Sequence, residues 1–267
     1  MTRAERPPDR GQPPLVTFDL WTVAGHGVPG AVLRMALDRA HLRRTPGLTF
    51  AKLLGTGDGR TFTVRDANLR RWALLCVWND APSAQAFEQS ATTRAWNRLA
   101  TQRWRTDLRP LSSRGRWSRR QPFGFDDPSA RHPTPAETSW SGPVAAVTRA
   151  RLAPRRALSF WRAVPPVSAD LATCPGLRFA LGIGEAPVGL QGTFSLWEDA
   201  RSLRSFAYER AAHTAVVRRT SEEGWYTEEL FARFAVVGAR GTVDGREPLT
   251  QPDPKPSGRG GPSPEPG

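Results

Sequence analysis

Residues 196–213 read LWEDARSLRSFAYERAAH, and residues 77–94 read VWNDAPSAQAFEQSATTR. Laid side by side at a constant offset of 119, the Trp, Asp, Ala, Ser and Phe coincide, while the last position holds Arg94 in one copy and His213 in the other. The shared residues have structural work to do. Asp80 and Asp199 stand where an N-cap belongs, accepting the orphan N–H groups of a first helical turn. Pro82 is tolerated in such a turn. Phe87 and Phe206 are expected to face a core, and Trp78 and Trp197 to end the preceding strand. The unmatched position is where function can enter a repeated element.

The repeat extends well beyond this helix. TPGLTF (45–50) is echoed by CPGLRF (174–179), with a longer loop, DGRTFTVRDANLRR (58–71), in the first copy. Each copy opens on a strand-like run, LVTFDLW (15–21) or VAAVTRARL (144–152). A helix candidate follows. In VPGAVLRMALDRAHLRR (28–44), Val32, Leu33, Leu37 and Ala40 share one face, expected to pack inward; in APRRALSFWRAVPPVSADLA (153–172), Pro165 and Pro166 interrupt. Then come LTFAKLLG or LRFALGIG, WALLCVW or GTFSLW, the quoted helix, and a closing strand, DLRPLSSRGRW (107–117) or LFARFAVVG (230–238). The order β-α-β-β-α-β, twice, predicts an α+β chain of tandem duplicated ferredoxin-like units whose sheets pair into a dimeric-α/β-barrel-like arrangement. The expected division is a disordered 1–14, a first unit over 15–122, a Pro/Ser/Asp-rich linker over 123–143, a second unit over 144–238 and a disordered tail over 239–267.

The chain has 267 residues and a formal charge of +13; all its basic residues except Lys52 and Lys255 are arginine. The arginines are dispersed, and no zinc-finger, helix-turn-helix or RNA-binding aromatic signature goes with them, so the charge does not point to nucleic acid. Weak attraction to an anionic membrane surface is the other use of such charge. The N-terminus has no apolar signal-peptide core and no run approaches a bilayer span, which predicts a cytoplasmic protein with at most a peripheral membrane contact. Cys76 and Cys174 are too few for a disulfide framework and have no CxxC spacing. The glycines of GTGDG (55–59) precede no GK[ST], and no Rossmann fingerprint or Ser-His-Asp order is present.

Phe206 and His213 are two helical turns apart and share a face with Leu203 and Val217, so the imidazole is expected to point at the sheet. It is then either a buried histidine donating to a carbonyl, or a metal or haem ligand whose other nitrogen donates to a strand carbonyl or to Glu185. Zinc suits it poorly, because no second His or Cys lies at ligand spacing. Lys52 is a candidate partner for a cofactor carboxylate or a snorkelling edge lysine. Arg233 shares a strand face with Phe231 and is either a second such partner or a rim charge. Trp225 and Tyr226 suit the wall of an apolar channel, or plain packing.

The segments FAKLLGTG (50–57), RWALLCVW (71–78), GRWSRRQPF (115–123), FALGIGE (179–185) and GWYTEELFARF (224–234), with His213 between the last two, resemble the spheroidene monooxygenase family over about residues 15–238. The resemblance implies a haem-containing monooxygenase that uses dioxygen, acts as a ketolase on acyclic carotenoids and draws electrons from a ferredoxin-type donor. Under it His213 becomes the haem-iron ligand, Lys52 and Arg233 the propionate partners, and Trp225 and Tyr226 the substrate wall. Arg94 cannot ligate iron, so the first copy would be scaffold. The competing reading is a non-catalytic haem-binding or structural module of the same fold.

Overall fold

The computed structural model describes residues 14–58, 66–124, 139–152, 155, 171, 173–185, 190–209 and 225–250. The described residues form, in chain order, β1 (Leu15–Val23), a short 3₁₀ turn, α1 (Val28–Arg43), β2 (Leu48–Gly57), β3 (Ala67–Trp78), α2 (Ala81–Phe87), α3 (Ala91–Leu99), β4 (Ala100–Gly115), β5 (Val144–Leu152), β6 (Leu177–Gly184), β7 (Leu190–Trp197), α4 (Ala200–Glu209) and β8 (Tyr226–Gly241). All strand pairs are antiparallel and close into one barrel, in the order β1-β3-β2-β6-β7-β5-β8-β4. Within residues 15–115 the neighbours run β4-β1-β3-β2, and within 144–241 they run β8-β5-β7-β6.

The period-2 pattern of each strand sorts its side chains between two environments. Val16, Phe18, Leu20, Ala73, Leu75, Val77, Phe194, Leu196, Leu230, Ala232 and Phe234 point inward and fill the barrel, as expected when eight strands enclose a space one side chain wide. Phe18 stacks on Phe194 across the interior, with ring centroids 3.9 Å apart. The alternate residues face the helices. Trp21, Leu74, Cys76 and Trp78 pack against Ala31, Leu42, Ala84, Phe87 and Trp96 of α1–α3, while Val144, Ala146, Trp197 and Ala235 pack against Leu203 and Phe206 of α4.

The motif residues shared by the two segments act alike. Asp80 Oδ1 accepts the Ser83 N–H at 2.7 Å, and Asp199 Oδ1 accepts that of Ser202 at 2.7 Å. These backbone hydrogen bonds hold both carboxyls below the usual aspartate range. The glycines of TPG and CPG have φ of +73° and +77°; a Cβ on Gly47 would stand 2.1 Å from Ser83 Oγ, and one on Gly176 would stand 2.4 Å from Ser202 Oγ. The repeated glycine is thus fixed both by its backbone and by the repeated serine packed on it.

Four expectations need correction. The α1 face predicted to pack inward is turned out: Val32, Leu33 and Leu37 are 51, 58 and 46% exposed, and Ala31, Asp38 and Leu42 are buried in their place. The quoted helix does not run unbroken through residue 94. It ends at Phe87, and Ser90 caps a new helix by accepting the Thr93 N–H at 3.1 Å. That break shifts the phase, so Arg94 lies exposed although Phe87, seven residues before it, is buried. Finally, the second unit does not stop at 238, nor does the tail start at 239: β8 runs to Gly241, a hairpin pairs Val243 with Arg246, and Leu249 packs on the barrel core. Among the described residues no helix is long and apolar enough to cross a membrane.

Candidate active site

Two places concentrate functional side chains. The first is one mouth of the barrel, where the inward-facing series of four elements ends in charge. Arg149 follows Ala145 and Val147 on β5, Glu228 precedes Leu230 on β8, Lys52 lies between Phe50 and Leu54 on β2, and Glu185 follows β6. Glu185 accepts from Lys52 Nζ and from Trp117 Nε1, and its Oε1 lies 3.5 Å from Arg149 Nη2. Lys52 also donates to Ser118 Oγ at 2.6 Å, and Arg149 is ion-paired to Glu228. Arg149 is 2% exposed, and its Nε and Nη2 have no hydrogen-bond acceptor.

A hairpin lids this mouth. Trp117 pairs with Arg120, and the two residues between, Ser118 and Arg119, have φ of 54° and 62°. Such a conformation is costly for residues with a Cβ. Glu228 offsets the cost by accepting both their N–H groups, at 3.2 and 2.7 Å. Burial alone would raise the Glu228 pKa, but the Arg119 N–H and the Arg149 guanidinium outweigh it and hold the carboxyl below its ordinary range. The cluster is charge-balanced, two cations against two carboxylates. The opposite mouth repeats the geometry with other chemistry: Asp244 and Gly245 have φ of 54° and 74°, and the Gly245 N–H donates to the neutral Gln102 side chain at 3.0 Å.

The second place is the space between sheet and helices, where the two segments diverge. Leu15 pairs with Trp78 and Val144 with Trp197, which aligns the registers of β1 and β5. On the first segment's outer face, Trp21, Trp72 and Trp96 pack together, with Trp21 and Trp96 stacked at 5.3 Å. Beside them Asp19 takes a two-pronged hydrogen bond from Arg103 (3.0 and 2.6 Å), Glu88 accepts from Arg103, Arg105 and Arg240, and Asp107 accepts from Arg105 and Arg240. In the second segment the register positions of Asp19, Trp21, Leu53 and Leu74 hold Thr148, Ala150, Gly182 and Thr193. Those of Arg103, Arg105 and Asp107 hold Glu229, Phe231 and Arg233. One segment fills its outer face with tryptophan and ion pairs; the other presents small, neutral side chains on β5, β6 and β7, with Glu229, Phe231 and Arg233 beside them on β8.

The residues singled out from sequence fall in several places. Lys52 belongs to the mouth cluster, with its ammonium already engaged by Glu185 and Ser118. Arg233 lies on the helix-facing side of β8, where it donates to Tyr208 Oη at 3.2 Å and stacks over that ring. Lys52 and Arg233 therefore lie on opposite faces of the barrel wall. Trp225 is fully buried just before β8, and Tyr226 opens that strand, half-buried. His213 and Val217 lie outside the described residues, as does most of the 123–143 linker. His26 and His41 are exposed, and among the described residues no cluster of His, Cys, Asp and Glu could hold a metal ion. Cys76 is buried, which pushes its thiol pKa well up and leaves it inert.

Sequence reasoning passed over Arg149, Glu228 and Trp117. A signal was available: period-2 alternation in VAAVTRARL and TEELFARF puts Arg149 and Glu228 on the inward face with their aliphatic neighbours. A charge on a core-facing strand position implies a partner.

No family model matches the chain. A spheroidene monooxygenase from Rhodobacter capsulatus is 34% identical over 238 residues, spanning 88% of this chain and 95% of that relative. Spheroidene monooxygenases from Rubrivivax gelatinosus (34% over 202 residues, 75% of this chain and 73% of the relative) and Cereibacter sphaeroides (31% over 218 residues, 81% and 64%) also match. Among solved structures, an aldoxime dehydratase superposes with a TM-score of 0.59 at 12% identity, covering 88% of this chain and 83% of that one. The aldoxime dehydratase OxdRE, in complex with butyraldoxime, gives 0.54 at 14% identity over 88% and 81%. At such identities the likeness is one of fold.

Proposed function

The chain belongs to the spheroidene monooxygenase family and is a monooxygenase, and from that premise we propose that it is a haem-dependent ketolase of a carotenoid-like, apolar polyene. The reaction space lies on the helix-facing side of the second segment's sheet, beside α4. The observation that carries this placement is the divergence of the two outer faces: Thr148, Ala150, Gly182 and Thr193 leave breadth for a flat, largely apolar group where the first segment holds Asp19, Trp21, Leu53 and Leu74. The common strand order within 15–115 and within 144–241 supports reading the two as copies of one ferredoxin-like unit, the second having kept or gained the site.

The roles divide as follows. His213 would hold the haem iron. Arg233, on the helix-facing side of β8, is the cation placed to meet a propionate; Lys52, on the inner side of the wall, would have to exchange its Glu185 partner to do so. Phe231, Trp225 and Tyr226 supply aromatic surface along which a polyene is held by dispersion and by exclusion of water. When bound, haem supplies the iron that activates dioxygen, with electrons from a ferredoxin-type donor.

The test is a Soret titration with added haemin, alongside circular dichroism and oxygenation of an acyclic carotenoid in detergent. His213→Ala is expected to lose the Soret band and the activity while keeping the fold; Arg94→Ala is expected to keep all three. A normal haem spectrum from folded His213→Ala refutes the ligand assignment.

A further inference from the structure

α1 is apolar on both sides. Its inner side buries Ala31 and Leu42, and its outer side carries Pro29, Val32, Leu33, Ala36, Leu37 and Ala40, all exposed. A surface helix ordinarily reserves its outer face for charge. Among the described residues six large apolar side chains are exposed, and half of them, Val32, Leu33 and Leu37, sit on this one helix. The exposed charge on α1 is of one sign. Arg39, Arg43 and the C-cap Arg44 are exposed at its C-terminal end, and none has an ion-pair partner among the described residues. The helix's single acid, Asp38, is turned inward: it is 1% exposed, accepts from Trp96 Nε1 at 2.9 Å and pairs with Arg34. Basic residues in a last turn complement the helix dipole, but that does not account for the apolar face.

A cavity of about 820 Å³ opens beside this end of the helix. Arg39, Arg43 and Arg120 contribute cations to its lining, where Lys52 is paired with Glu185, and Leu42, Phe50 and Leu53 contribute apolar surface. An apolar helix face, a one-sign cationic border and an amphipathic cavity next to both match the chemistry of an anionic bilayer surface: acyl chains for the leucines and headgroup phosphates for the arginines.

We propose that α1 docks this protein onto anionic membranes. Val32, Leu33 and Leu37 enter the acyl boundary, Arg39, Arg43 and Arg44 pair with phosphates, and the neighbouring cavity opens toward the lipid. The inference rests on α1 alone and stands whether or not His213 binds haem.

The experiment is co-sedimentation of the full chain with vesicles of phosphatidylcholine, with and without phosphatidylglycerol, at low and high salt, with the oligomeric state of each variant measured by ultracentrifugation. Wild type is expected to bind the mixed vesicles and to lose most binding in phosphatidylcholine alone or at high salt. Leu33→Asp/Leu37→Asp and Arg39→Glu/Arg43→Glu should each lower partitioning by on the order of tenfold or more. Leu69→Asp, an equally exposed leucine elsewhere, should bind as wild type. Equal binding by all four proteins overturns the proposal, and so does binding indifferent to lipid charge. A dimer that dissociates in Leu33→Asp/Leu37→Asp, without vesicle binding by wild type, also overturns it and assigns the face to a second copy. Haem titration of the same variants should match wild type, which separates this proposal from the placement of the reaction site.

Discussion

Trp21 and Ala150 occupy the same register position, one in β1 and the other in β5, and the difference between them runs through everything that surrounds them. Around Trp21 the sheet-to-helix space is closed by two further tryptophans and by a network of three carboxylates and three arginines. Around Ala150 the same frame carries Thr148, Gly182, Thr193 and Phe231. A barrel of this kind is held by its filled interior, which both segments share, so the outer layer of one segment can be given to ligand binding while the other keeps the molecule stiff. The lesson is a division of labour inside one fold.

Asp19→Ala should show the largest effect. Arg103 would lose its two-pronged acceptor and Arg105 would keep a buried charge with one carboxylate fewer, which costs about 3–5 kcal/mol. Thr148→Ala, its register counterpart, should cost under about 1 kcal/mol. Equal losses in urea unfolding would end the comparison. Next comes the tryptophan itself. Trp21→Ala makes the first segment resemble the second and should cost about 3–5 kcal/mol. The reverse exchange, Ala150→Trp, should cost only about 1–3 kcal/mol by overpacking, yet abolish haemin uptake and oxygenation. A folded Ala150→Trp enzyme with normal haemin binding would place the reaction space elsewhere.

The two barrel mouths offer a subtler contrast. Glu228 has a folded-state pKa below its ordinary 4.5, so its stabilisation is fully present above that value and is lost as pH falls through the folded pKa. Glu228→Gln should therefore lose about 1–3 kcal/mol at neutral pH, and the gap from wild type should close in acid. Gln102, at the corresponding place in the other mouth, does not titrate. The smallest effect is a matched pair. Asp80→Ala and Asp199→Ala remove equivalent caps and should each cost about 0.5–1 kcal/mol, measured as a shift in thermal midpoint.

The strand order and the caps were legible in the sequence because they rest on local, repeated chemistry: a Trp-Asp-Ala-Ser-Phe spacing and a Pro-Gly turn whose glycine must avoid a serine. The inward face of α1 was not, because apolar residues lie all round that helix and a 3.6-residue period cannot choose between two apolar faces. Asp38 added to the difficulty by lying on the buried side, where burial raises its pKa against the lowering effect of Arg34 and the Trp96 N–H. The break after Phe87 was written in Ser90 and Thr93, an N-cap signature inside an apparent helix. The closing hairpin was written in Asp244–Gly245, a favoured pair for a turn with two positive φ values, but its neighbours Thr242, Arg246 and Pro248 read as a polar tail. The mouth cluster needs strands distant in the chain to meet at one end, and no local pattern contains that. His213, the residue on which the cofactor reading turns, lies outside the described residues, so the site stands on the wall it would face.

The barrel closes through two seams between the segments, and they are unequal. Along one, β4 and β8 pair from Trp104 with Gly241 to Gly115 with Leu230. Along the other, among the described residues, β2 pairs with β6 over Gly55–Gly57 and Gly182–Gly184, and four of those six residues are glycine. Glycine gives up the most backbone freedom on ordering, so this short seam holds least per residue. The ring of strands is thus a clasp with a long hinge. Parting β2 from β6 leaves every strand pair within each segment intact and turns the closed barrel into an open, eight-stranded sheet. Amide protons at Gly55–Gly57 and Gly182–Gly184 should accordingly exchange with solvent before those of the β4–β8 seam, at a free energy well below that of global unfolding.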